Sequence, residues 1–106
     1  MLKDMADLAS DSRFMQTLSS KFVSDARQLV DGIEAAMARK DYEQFRELTH
    51  ALKGAAMMAG AIRLRDSAAR AERITDADFK TAGTDLIQNL KGTLEATNQE
   101  LSRMVA

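Results

Sequence analysis

The chain contains no cysteine and no proline. The first absence removes disulfides and thiol chemistry and agrees with a cytoplasmic setting. The second removes the residue that most sharply breaks a helix. Glycine is scarce as well, at five in 106 residues, so long unbroken helices are favoured over a sheet-rich fold. Aromatics make up only 5% of the chain, which leaves Leu, Ala, Met and Ile to build the core. No apolar run approaches the roughly 20 residues that cross a bilayer. The N-terminal "MLKDMADLAS" also lacks the continuous apolar stretch of a signal peptide. A net charge of -1 supplies no basic face for nucleic acid. Membrane insertion and nucleic-acid binding are therefore not expected, and the length fits one domain over residues 1–106.

What is present is helical periodicity. Leu2, Met5 and Leu8 recur every three residues and suggest a short first helix. "SDS" at 10–12 offers N-cap residues for a second, longer helix. Its stripe of Phe14, Leu18, Phe22, Ala26, Leu29, Ile33 and Met37 should bury one face. Asp41, with Gln44 three residues on, resembles a capping box that opens the next helix. Gly60 is a stop. Leu64, Ala68 and Ala71 mark a fourth helix, and "ITDADF" gives a turn with Thr75 or Asp76 as cap. The last helix carries Phe79, Leu86, Leu90, Leu94, Leu101 and Met104. The expected architecture is all-α, an antiparallel four-helix bundle with a short additional N-terminal helix.

The chain's one histidine falls in "LTHALKGAAMMAG" at 48–60. An ideal helix turns roughly 100° per residue. With Phe45 at zero, Leu48, Leu52, Ala55, Ala56 and Ala59 cluster around roughly 330°. His50 falls near roughly 140°, almost opposite them. It shares that polar side with Glu43, Arg46, Glu47, Lys53, Gly54 and Met57. Gly54 stands out there, since glycine inside a helix costs roughly 1 kcal/mol relative to alanine. Helical side chains lean toward the N-terminus, so an absent side chain at 54 clears an approach to the imidazole. Lys53 brings a mobile ammonium to the adjacent surface. A neutral imidazole is a nucleophile at neutral pH. A phosphoryl group on it would meet the lysine charge and would be reached across the glycine.

"HALKGAAMMAGA" resembles the signature of histidine-containing phosphotransfer (HPt) domains, His-x-Leu-Lys-Gly followed by small residues and Gly-Ala. His50, Leu52, Lys53, Gly54, Gly60 and Ala61 carry the match. The resemblance implies a four-helix bundle that is phosphorylated on His50 by a receiver-domain aspartate. It also implies that Lys53 stabilises the phosphoryl group and Gly54 admits the receiver. The partners implied are receiver domains of response regulators or of a hybrid sensor kinase. They supply Mg²⁺, and the domain needs no cofactor and is a carrier, not an enzyme. The domain is expected to be monomeric, free or as the cytoplasmic C-terminal part of a membrane-bound sensor kinase. Three features depart from the usual pattern: Ala55 stands where serine is frequent, and Met57 and Met58 replace a small residue and asparagine. Met57 on the histidine side suits a receiver-docking patch, as do Arg46 and Glu47. Met58 is placed to pack against a neighbouring helix. Glu47 or Glu43 is a candidate partner for the second imidazole nitrogen; the alternative is that both are solvated charges on an outer face.

Two other readings compete. "ELTH" matches Glu-x-x-His, but di-iron bundles need two such motifs and further glutamates facing inward. With one outward histidine, no metal site is expected. The other alternative is a non-phosphorylated helical bundle that binds proteins by its surface alone.

Overall fold

The architecture described here is a computed structural model. It describes residues 5–81 and 83–105, with the side chains of 5–12, 76, 80, 83, 104 and 105 excluded. Among the described residues every regular element is a helix: α1 (Met5–Ala38), α2 (Tyr42–Ala59), α3 (Ile62–Glu72), α4 (Asp76–Thr81) and α5 (Gly83–Val105). None of these helices is long and apolar enough to cross a membrane.

Two tight turns set the bundle's geometry. The backbone of Lys40 adopts φ 59° after α1, and Asp41 N–H reaches back to Ala36 O at 2.8 Å. Asp41 then caps α2 by accepting from Gln44 N–H at 3.1 Å, as its sequence position foretells. At the far end of α2, Gly60 takes φ 72° and Ala61 N–H bonds Ala56 O at 2.9 Å. This is the Schellman closure that a glycine stop favours. Connections this short force antiparallel neighbours. α1 packs on α2 and α5, and α3 packs on the same two helices, so the four long helices form a ring.

The core is built mostly from small and branched side chains. Ala26, Val30, Ile33 and Ala36 of α1 meet Phe45, Leu52 and Ala56 of α2, and Val23 of α1 is buried as well. Leu64, Ala68 and Ala71 of α3 and Ile87, Leu90 and Leu94 of α5 complete it. Buried alanines on α1, α2 and α3 let helix axes approach closely, which compensates for the shortage of aromatics. Three buried polar residues escape the periodicity reading, and each has a partner. Thr49 donates to Arg46 O, Ser67 bonds Thr93, and Thr97 donates to Thr93 O.

The N-terminal expectations need correction. No separate first helix precedes the long one, because α1 runs unbroken from Met5 through "SDS". Serine and aspartate disfavour a helix interior by only tenths of a kcal/mol, about 0.5, and no glycine or proline enforces a stop. Leu2 lies outside the described residues. Phe14 and Leu18, expected in the buried stripe, are 60% and 44% exposed. Counting equal steps from the Lys40 turn puts Ala59 level with Lys21, so α1 outruns α2 before Phe22. The short extra helix lies instead at α4, opened by Thr75, whose Oγ1 accepts from Asp78 N–H. Phe79 therefore sits on α4 and not on the last helix. It is buried, edge-on to Phe45 with centroids 5.0 Å apart.

Candidate functional site

α2 has one closed side and one open side. Phe45, Thr49, Leu52 and Ala56 are fully buried, and His50 between them points the other way with its side chain 69% exposed. The backbone there is ordinary mid-helix, so the imidazole is presented by a rigid element.

The open side acquires its decisive group from α3. His50 Nδ1 lies 2.8 Å from Glu72 Oε1, and Lys53 Nζ lies 2.7 Å from Glu72 Oε2. One carboxylate thus spans both residues, one oxygen to each. The α2–α3 hairpin explains the meeting. His50 stands ten residues before Gly60 and Glu72 twelve after it, so antiparallel packing brings the two nearly level.

The chemistry of this pairing orients the ring. The Lys53 ammonium, and next the His50 hydrogen bond, hold the Glu72 carboxyl below its ordinary range, against a smaller opposing effect of burial. An ionised carboxylate only accepts hydrogen bonds, so the ring nitrogen facing it carries the hydrogen. In the neutral imidazole that leaves Nε2 with a free lone pair on the solvent side. Glu72 therefore sets the tautomer, in place of Glu47 or Glu43, which are the exposed outer-face charges of the other expectation. Both of those glutamates line the open groove beside His50, together with Tyr42, Arg46 and Glu72. Neither forms an ion pair among the described residues.

The other residues singled out from the sequence divide clearly. Lys53 joins His50 through Glu72. A Cβ built on Gly54 would meet nothing within 4 Å, so no neighbour within the chain requires glycine there. Among the described residues Arg46 pairs with no carboxylate and instead covers the Tyr42 ring, 5.9 Å from its centroid. Met57 is exposed on the histidine side. Met58 is 92% exposed and packs against no neighbouring helix, contrary to expectation. Its position just before the α2 terminus leaves it beside the turn and not against α3. Among the described residues no three His, Cys, Asp or Glu side chains gather as a metal site would require.

Glu72 is the residue the sequence reading missed. It sits in "ARAER" at 69–73, between two arginines at the end of α3. A signal existed, because Glu72 follows the inward Ala71 and so lies at the margin of α3's buried face. Reading it as a partner of His50 also requires knowing that α3 folds back beside α2.

Comparison with curated proteins and with solved structures yields no match. The family model for the Hpt domain matches residues 17–104, from the point on α1 near which packing begins to near the end of α5. Domains of that family are phosphocarriers in two-component signalling, not catalysts, and interact with receiver domains. The all-helical bundle agrees with the match, which spans most of the 106 residues, and the chain belongs to the Hpt domain family.

Proposed function

We propose that His50 carries the phosphoryl group in a phosphorelay. It accepts the group from the aspartate of one receiver domain and passes it to the receiver of a response regulator. The orientation of the imidazole is the observation that carries this reading: Glu72 occupies Nδ1, and Nε2 stands free on an exposed helix side.

In the forward step the Nε2 lone pair attacks the phosphorus of an aspartyl phosphate. The N–P bond forms as the bond from phosphorus to the aspartyl oxygen breaks, and the carboxylate leaves with that electron pair. The ring then bears positive charge while Nδ1–H stays donated to Glu72, whose carboxylate stabilises it. Transfer onward reverses these events on a second receiver. Lys53 turns its ammonium from Glu72 toward the phosphoryl oxygens, which its flexible stem permits. Gly54 leaves room for the receiver's active site, and Arg46, Glu47 and Met57 contact the receiver around it. Mg²⁺ and most of the charge stabilisation belong to the receiver, so the domain needs no cofactor of its own. It works in the cytoplasm as a monomeric unit, free or within a hybrid sensor kinase.

Incubation with a phosphorylated receiver tests the assignment. Wild type takes up label, and His50→Gln takes up none. Equal labelling of the two proteins sinks it, and absence of label in both leaves the surface-only interaction module as the better account.

A further inference from the structure

Glu72 is the last residue of α3, and helix ends fray. Its carboxylate nonetheless has to meet two donors on a neighbouring helix at 2.7 and 2.8 Å. The backbone beyond it supplies only modest closure, with Arg73 N–H to Arg70 O at 3.3 Å and Ile74 N–H to Ala71 O at 3.2 Å. The remaining restraint comes from α2. The Tyr42 hydroxyl donates to Ile74 O, two residues past Glu72. The Tyr42 ring stands edge-on to Phe79 of α4, with centroids 5.3 Å apart, and Phe79 is buried against Phe45. The segment leaving Glu72 is thus fastened at Ile74 by a hydrogen bond and again at Phe79 by aromatic packing. Both fastenings involve the chain's one tyrosine.

We propose that Tyr42 is a positioning residue for the His50 site, holding the C-terminal end of α3 against α2 so that Glu72 reaches both His50 and Lys53. Tyr42 acts through Glu72, since its hydroxyl bonds Ile74 O and not the imidazole, whose Nδ1 faces Glu72. It begins the same helix that carries His50 and Lys53, so donors and fastening move together as one rigid body. The inference deepens the proposed function. Its primary readout involves no phosphoryl transfer, so failure of one does not entail failure of the other.

The experiment measures the ¹⁵N shifts of the His50 ring in the neutral form, which report the tautomer. Four proteins are compared: wild type, Tyr42→Phe, Glu72→Ala and the double variant. Wild type is expected in the Nδ1–H form. Tyr42→Phe, which removes only the hydroxyl, shifts the population toward Nε2–H and speeds exchange of the Ile74 amide by about five-fold, the factor for one net hydrogen bond. The double variant matches Glu72→Ala. Val23→Ala, which trims the core on α1, lowers the melting temperature without moving the tautomer. A wild-type tautomer in Tyr42→Phe overturns the proposal, and so does an additive shift in the double variant. An equal shift in Val23→Ala reduces the effect to general destabilisation and overturns it too.

Discussion

The two sides of α2 obey different rules. On the inner side Phe45, Thr49, Leu52 and Ala56 are shut off from water, and each is chosen by the volume between helices. On the outer side Met57 is exposed, a Cβ at Gly54 would meet nothing, and His50 is held by a hydrogen bond to Glu72 and not by packing. Gly54 makes the contrast plainest. It weakens the helix by roughly 1 kcal/mol at a place where a Cβ would meet no neighbour within 4 Å. A local rule broken without a structural reason points to a requirement from outside the chain, here the approach of a partner.

That division can be broken from either side. The largest expected effect is His50→Gln, which abolishes labelling by a phosphorylated receiver and changes stability by no more than about 0.5 kcal/mol, as for most surface substitutions. Parallel labelling and thermal melts check both halves. Leu52→Ala should do the reverse. Truncating a fully buried leucine costs about 2–5 kcal/mol in denaturant unfolding, while the folded fraction still accepts label. If Leu52→Ala abolished labelling of protein that is still folded, the two sides would not be separable.

Gly54 sharpens the comparison because it should move stability and function in opposite directions. Gly54→Ala is expected to stabilise by about 0.5–1 kcal/mol, since the new methyl meets nothing. Gly54→Leu should slow labelling by about 100-fold with the fold intact, the scale of losses when a reacting partner is displaced by about 1 Å. Undiminished transfer in Gly54→Leu would remove the access argument.

The smallest effect concerns Glu72, where the two sides meet at the edge of α3. Its folded pKa is lowered by Lys53 first and His50 second. A depressed carboxylate contributes stability above its unfolded value and loses it as pH falls through the lower folded value. Wild type should therefore exceed Glu72→Gln by about 0.5 kcal/mol at neutral pH, a modest figure because the partners are partly solvated. The gap should close as the solution is acidified below the ordinary carboxylate range, near about 4.3. Denaturant melts at several pH values measure this, and a gap independent of pH would show that the ion pair contributes nothing.

Local features of the fold were legible from particular residues. Asp41 and Gly60 mark the ends of α2 because a capping side chain and a left-handed residue act within a few positions of themselves. Phe14 and Leu18 misled, since their spacing is as helical as that of Val30 and Ile33, yet no helix α2 lies alongside them. Periodicity says which side of a helix is apolar; it does not say how far along that side a partner extends. Thr49, Ser67 and Thr97 were missed for a related reason. A threonine or serine that bonds a nearby carbonyl or hydroxyl is satisfied, and can then be buried among apolar neighbours.

What the sequence determined alone is the exposure of His50, because a period of 3.6 residues puts it opposite the apolar stripe whatever α2 packs against. That the space over Gly54 is empty came from the structure, since Gly32, a helical glycine too, lies against Leu48. The direction in which the imidazole presents its lone pair was decided only by the tertiary structure. Glu72 is 22 residues away along the chain, and a hydrogen bond at that separation exists only once the hairpin about Gly60 has closed. The Tyr42–Ile74 bond, at a separation of 32 residues, belongs to the same category. Helical geometry is a local property and can be read in series, whereas the partner of an exposed ring nitrogen depends on which helices become neighbours.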